Sequence, residues 1–372
     1  IILKTIPPLL FSLCMGLLIH ARAYADWPMF LKDNVHSSII EKGPSAPLEL
    51  KWRHKTGGAV YSSPIVYKGK VFAGSYDKSL YALEASTGKL LWSFKTEGEI
   101  FSTPAAANNT VYFGSKDGKV YALEAETGKL VWEYATEGAV MTSPVVAEGI
   151  LFAGSNDLYL YAIDASTGKR IWRMLETDYW KYNGIYSSPA YHEGAVYSAG
   201  KNGTVYSVSA KSGARNWSKK TGSAIYSSPM IRDGVLFAAS YDRKIYAIEA
   251  KTGKSVWTRP LNGEFPYSSP VALHDRVYLA LKNGHIKVLD KSDGSEKGDY
   301  KLPAGISATP AVSAEGIMFV GCEDGGLYAI DIKTGTELWR FNTQGAIHSS
   351  PAIDEERVFI GSKDGYIYAF GK

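Results

Sequence analysis

The residues of this chain best suited to chemistry return in rings. Asp77, Asp117, Asp157, Asn202, Asp242, Asn283, Asp324 and Asp364 recur at nearly constant spacing, and oxygen donors are what a calcium ion would need. Glycine follows five of them, as Gly118, Gly203, Gly284, Gly325 and Gly365. Asp-Gly and Asn-Gly pairs tolerate positive φ and suit the tight turns that join paired strands, so turn formation is the expected role. The Thr-Gly-Lys triplets, such as Thr87-Gly88-Lys89, imitate the end of a phosphate loop. The upstream glycine of that motif is absent and a strand follows in place of a helix, which excludes it. Ser62, Ser63 and their equivalents recur in most units. A hydroxyl repeated in this way ties strand ends together and is not expected to be a nucleophile. His348 has no second His or Cys near it in the pattern, so no metal site is expected. Cys322 stands where other units carry Ser, which suggests a buried, inert thiol.

Binding chemistry has better candidates. Eight Ser/Thr-Pro dipeptides end at Pro64, Pro104, Pro144, Pro189, Pro229, Pro270, Pro310 and Pro351, separated by 40, 40, 45, 40, 41, 40 and 41 residues. Three residues before each proline stand Tyr61, Phe101, Met141, Tyr186, Tyr226, Tyr267, Ser307 and His348. Placed at the starts of innermost strands, they would ring one mouth of a central channel. An aromatic rim with a polar gap suits a planar ligand, a sugar or a peptide; the same side chains could equally plug a narrow channel. The one long gap holds Glu176-Thr177-Asp178-Tyr179-Trp180-Lys181-Tyr182-Asn183. Tyr179, Trp180 and Tyr182 are rigid aromatic anchors of the kind that dominate interfaces, on a loop expected to rise beside the rim or to fold back on its own blades.

The elements that must position these residues follow from the period. One unit is read from Ala59 to Trp92, with strands over 59–66, 70–75, 79–83 and 89–94 and turns at Tyr76-Asp77-Lys78 and Thr87-Gly88. Short alternating strands bounded by turn residues make antiparallel hairpins. Four strands repeated about every 40 residues indicate a radial array of blades. The expected fold is therefore all-β, an eight-bladed β-propeller of four-stranded antiparallel blades. Trp92, Trp132, Trp172, Trp257 and Trp339 follow a Thr by five residues, and Trp217 follows Ser212 in the same way. An indole at this place can cover the neighbouring blade, and each buries about 150–250 Å². Tyr300 breaks the rule in the remaining unit. The final unit, from Ala346, has three strands. Its fourth is expected at 48–56, where Trp52 matches the docking tryptophans, so that an N-terminal strand closes the last blade and removes exposed edges.

The first 25 residues read as a secretory signal: Lys4, a short apolar core over 9–19, and the cleavage pattern Ala23-Tyr24-Ala25 before Asp26. The apolar core is too short to span a bilayer comfortably. Residues 26–47 form a lead-in and 48–372 the propeller. Leu13 before Cys14 does not fit a lipidation signal, which leaves Cys322 alone and no internal disulfide. The net charge of +4 falls to +2 when Lys4 and Arg22 leave with the signal, and no basic run stands out, so nucleic acid is not an expected partner. The expected location is periplasmic or secreted.

The segment Tyr-Ala-Leu-Glu-Ala-x-Thr-Gly-Lys-Leu-x-Trp, at 81–92 and 121–132, resembles the pyrroloquinoline-quinone (PQQ)-type propeller repeat, as does Asp26-Trp27-Pro28-Met29-Phe30. The resemblance covers residues 26–372 and implies the quinoprotein-like, BamB-like eight-bladed fold. Its enzymes hold PQQ with calcium over the central funnel, beside a vicinal cysteine pair that this chain cannot supply. The resemblance thus implies a non-enzymatic extracytoplasmic scaffold, monomeric or within an envelope complex, with no cofactor. The alternative it implies is a PQQ- and calcium-dependent dehydrogenase of an alcohol or sugar. Deleting residues 48–56 should leave an open ring: size-exclusion chromatography should show aggregation and the melting temperature should fall, whereas an unchanged monomer would refute the closure.

Overall fold

The computed structural model describes residues 26–176, 184–262 and 265–372. Every regular element among them is a strand. Seven blades are each built from consecutive strands, the first from Ile65–Tyr67, Lys70–Gly74, Ser79–Glu84 and Leu90–Lys95. The eighth combines Ala352–Ile353, Arg357–Gly361 and Tyr366–Gly371 with Glu49–Lys55 from the other end of the propeller. That strand pairs antiparallel with Trp52 opposite Ala369 and Lys55 opposite Tyr366, and its joining leaves no blade short of a strand. The middle strands of each blade are buried on both faces, while the outermost alternate exposed and half-buried residues, as in Leu90–Lys95.

The innermost strands are shorter than the sequence suggests. The stretch expected to begin at Ala59 becomes a strand only at Ile65. Pro64 has no N–H to give to a ladder, and the residues before it are committed elsewhere. The backbone N–H of Ser63 donates to Thr103 Oγ1 (3.2 Å), Thr103 to Ser143 Oγ (3.0 Å) and Ser143 to Ser188 Oγ (2.9 Å). The series continues through Ser228, Ser269, Thr309 and Ser350 at 2.9–3.0 Å. It closes where Ser350 N–H donates to Ser63 Oγ (2.8 Å). Each blade is thereby tied to the next around the channel by a buried hydroxyl, the tying role expected of the repeated serines.

The tryptophans make the second tie, further out. Their indole N–H groups donate to a carbonyl of the following blade: Trp52 to Ala85 (2.9 Å), Trp92 to Ala125 (3.1 Å), Trp132 to Ala165 (3.0 Å) and Trp172 to Ala210 (2.8 Å). Trp217 and Trp257 repeat the bond with Ala250 and Lys291, both at 2.9 Å. The ring lies flat on the glycine of the Thr-Gly turn. A Cβ on Gly88, which has φ +71°, would stand 2.5 Å from Trp52 Cδ2, so a glycine is required there for both space and backbone. In blade six Gly298 occupies the tryptophan's place in the register, opposite Val288. Tyr300, two residues on and on the same face, takes over: its ring covers Gly335 and its hydroxyl donates to Ile332 O (2.7 Å). Trp339 packs edge-on against Phe370, with ring centroids 5.6 Å apart.

Residues 26–40 cross the end of the ring away from Tyr61. Trp27 exchanges hydrogen bonds with Val66 (2.8 and 2.9 Å), and the carbonyls of Pro28, Asn34, Val35 and Ser38 accept from Ala106, Tyr191, Ile231 and Val312. Ile39–Ile40 then runs parallel to Ala311–Ser313 of blade seven. His36 is fully buried, and burial lowers its pKa to about 4 while Nδ1 lies 2.8 Å from Pro229 O.

Replacing Ser188 by Ala would leave the buried Ser143 N–H without its acceptor. The expected loss is about 1–3 kcal/mol of stability, read by denaturant titration. Ser188→Thr should be tolerated, because Thr103 and Thr309 already fill the same role.

Candidate functional site: the channel mouth

The structure brings all eight residues that lie three before a repeat proline to one mouth of the channel. They lie in the segment leading into each innermost strand, and the sequence expectation is corrected to that extent. Tyr61 stacks on Phe101 (5.9 Å) and on His348 (5.3 Å), and Tyr226 stacks on Tyr267 (5.8 Å) and meets Tyr186 edge-on (5.9 Å). Met141 Sδ lies 3.6 Å from Asn156 Nδ2. Below these rings the belt of serines and threonines continues the wall, and Phe30 from the lead-in also lines the space. What remains is a cup of about 100 Å³.

A second ring, absent from the sequence reading, surrounds the first: Tyr76, Lys116, Asn156, Lys201, Tyr241, Lys282, Glu323 and Lys363. Each directly precedes a turn Asp or Asn, so the same period that located the turns could have found it. Lys116 lies over Tyr76 (4.4 Å to the ring centroid), Lys201 over Tyr186 (4.2 Å), Lys282 over Tyr267 (5.0 Å) and Lys363 over Tyr61 (5.8 Å). Such cation–π contacts are worth about 0.5–1 kcal/mol when exposed and hold the ammonium groups close to the rim.

The polar gap foreseen at Ser307 and His348 is a network. Lys282 Nζ donates to Ser307 Oγ (2.6 Å) and to Glu323 Oε1 (2.5 Å), Ser307 donates to the same oxygen (2.5 Å), and His348 Nδ1 lies 3.8 Å from it. Burial works against the Glu323 charge, yet the bonds from Lys282 and Ser307 bring its pKa below the ordinary value. Burial lowers the pKa of His348. Cys322 is buried and its thiol is pushed up to about 11 by burial, in keeping with an inert role.

The turn acids are consumed by structure. Asp77 accepts from Tyr81 Oη (2.6 Å), Gly57 N (2.6 Å) and Ser79 N (2.9 Å), and Asp117, Asp157, Asp242, Asp324 and Asp364 also hold the tyrosine four residues on. Among the described residues no three His, Cys, Asp or Glu side chains are grouped to hold a metal ion.

Tyr179, Trp180 and Tyr182 lie outside the described residues. Just before them, Glu176 replaces the threonine found at Thr56, Thr96, Thr136, Thr221 and Thr343. Its carboxyl is fully buried, Ser198 Oγ donates to Oε1, and Oε2 has no partner among the described residues. Burial raises its pKa to about 7. The backbone carbonyl of Glu176 accepts from Tyr206 Oη and from Asn202 Nδ2 (3.2 Å).

Eight blades, the aromatic mouth and the Thr-Gly-x-x-x-Trp seam define an eight-bladed propeller of the PQQ-like repeat class. Within that class, the chain belongs to the family described as outer membrane protein assembly factor BamB, whose sequence profile matches residues 48–104, 96–182, 177–305 and 282–372. No curated protein sequence matches it. Among solved structures it is similar to BamB from Moraxella catarrhalis, with a TM-score of 0.75 and 17% identity over 88% of this chain and 100% of that one. It is also similar to the quinohemoprotein alcohol dehydrogenase of Comamonas testosteroni, with a TM-score of 0.80 and 16% identity over 93% of this chain and 80% of that one. A computationally designed protein, Ika8, matches with a TM-score of 0.78 and 21% identity, covering 88% and 100% of the two chains. At these identities the likenesses establish the fold alone.

The mouth as packed does not fit a PQQ group. Small-ligand pockets run to about 300–1,000 Å³, and the cup, at about 100 Å³, has walls of rings that stack on one another. The carboxylate of the two rim rings, Glu323, is engaged by Lys282 and Ser307.

Glu176 sets a testable pH dependence. Its folded pKa of about 7 lies above the ordinary 4.5, so between these values the folded state binds more protons than the unfolded one. Stability should fall as pH rises through that window, by on the order of 3 kcal/mol at most. Melting temperatures of Glu176→Gln should lose this slope.

Proposed function

We propose that this chain is a non-enzymatic protein-interaction scaffold of the cell envelope, periplasmic or secreted, that acts through the rim of its channel mouth. The observation that carries the reading is the closed cup. Half-buried aromatic side chains, with lysines over several of them, surround a mouth whose interior holds only about 100 Å³, so a partner can lie across it while a group of the size of PQQ exceeds the cup. Large aromatic groups held rigidly at an open surface are the usual anchors of protein interfaces. Membership of a family described as an outer membrane protein assembly factor supports a role in envelope protein assembly. No helix among the described residues is long and apolar enough to cross a membrane.

The competing function is oxidation of an alcohol or sugar with PQQ and calcium. The purified protein incubated with both should show no saturable PQQ binding by fluorescence quenching and no dye reduction with either substrate class. Saturable binding with turnover would overturn the scaffold reading. On the scaffold reading, a photocrosslinker at Tyr226 should capture an envelope protein in cells, and the same group on the outer strand at Leu91 should not.

A further inference from the structure

The basic residues of the mouth are unevenly placed. Beside Lys201, between blades four and five, opens a cavity of about 400 Å³ lined by Lys201, Asn202, Lys220, Tyr226 and residues 221–224. The charge of Lys282 is met within the mouth by Glu323. Lys116, Lys201, Lys220 and Lys363 have no carboxylate partner among the described residues. Lys220 donates to Asn202 O, which places its ammonium group beside the same turn as Lys201. Asp242, beside the cavity, is committed to the Gly222 N–H (2.7 Å) and to Tyr246 Oη, and further acids stand across the mouth from it: Glu97 and Glu99 in the loop between blades one and two, and Glu137 in the loop between blades two and three.

We propose that the mouth docks an acidic peptide segment of a partner protein, with a carboxylate seated in the cavity between Lys201 and Lys220 and a second reaching Lys363. This inference rests on the scaffold reading and names the chemistry of its partner. Three features select a short acidic segment over other anions. The cavity is large enough for a side chain of a peptide and stands beside Tyr186 and Tyr226, whose rings offer apolar contact on either side of a charge. The lysines are spread around a ring, so they suit carboxylates spaced along an extended chain. Glu97, Glu99 and Glu137 would repel a nucleic acid or an anionic membrane laid over the whole mouth, but they leave room for a narrow segment that crosses it from Lys201 in blade four to Lys363 in blade eight.

The test is fluorescence anisotropy of a fluorescein-labelled octapeptide of alternating Glu and Tyr, titrated with the full chain at low salt. Saturable binding is expected, weakening as salt is added. Lys201→Ala combined with Lys363→Ala should weaken it at least tenfold at an unchanged melting temperature. Both positions are partly or fully exposed and neither holds a turn, whereas Lys220 does. Lys201→Arg should retain binding, and a Lys-Tyr octapeptide should not bind. The proposal is overturned by no binding, by equal binding to wild type and the double variant, or by capture on anionic phospholipid vesicles in place of the peptide. The crosslink at Tyr226 separates the two readings. If it persists unchanged in the double variant, the scaffold stands and the acidic segment falls; if it is absent from the wild type, the scaffold itself fails.

Discussion

The belt of eight hydroxyl groups around the channel sets the dimensions on which the rest of the molecule depends. Each Ser or Thr before a repeat proline accepts the N–H of its counterpart in the preceding blade, and Ser350 returns the series to Ser63. The bond joins residues one unit apart, so its length fixes how closely two blades can approach at the axis. The proline that follows removes a competing donor and starts the innermost strand one residue later. Eight such bonds in a closed circuit make the axis narrow, and the large side chains three residues earlier must then lean on one another.

From that narrowness follows the character of the mouth. Tyr61, Phe101, Tyr186, Tyr226 and Tyr267 meet at ring distances under 6 Å, which is contact between neighbours and not the lining of an empty funnel. Phe30 reaches the channel from the lead-in, which is pinned to blades one, two, four, five and seven by backbone hydrogen bonds. The mouth is therefore a closed surface of aromatic faces with ammonium groups held over them.

Much of this was legible in residue order. The repeat spacing specified eight blades, and Trp52 identified the strand that closes the last one. The Asp-Gly turns and the flat tryptophan-on-glycine contacts are local devices that leave local signatures. Tyr300 was recognised as the exception, but counting could not show that it reaches the next blade from two positions further along the strand. The inner strands were read too long because alternation continues through Ser62 and Ser63, whose hydrogen bonds run to the next blade and not along their own. The outer ring of Lys116, Lys201, Lys282 and Lys363 carries the same period as the turns. Its period alone does not distinguish it, because a residue before a turn ordinarily points to solvent.

The sequence by itself determined the number of blades, their four-stranded pattern, the docking tryptophans and the identity of the closing strand. These rest on interactions between residues a fixed number of positions apart, so periodicity encodes them. Tertiary structure alone decided that the rim side chains close on one another, that Phe30 lines the cup, that the Glu176 carboxyl is buried, and that Lys201 and Lys220 flank one cavity. The first of these depends on how far the closed ring contracts around its axis. That distance is a property of all eight blades together and is written in no single repeat.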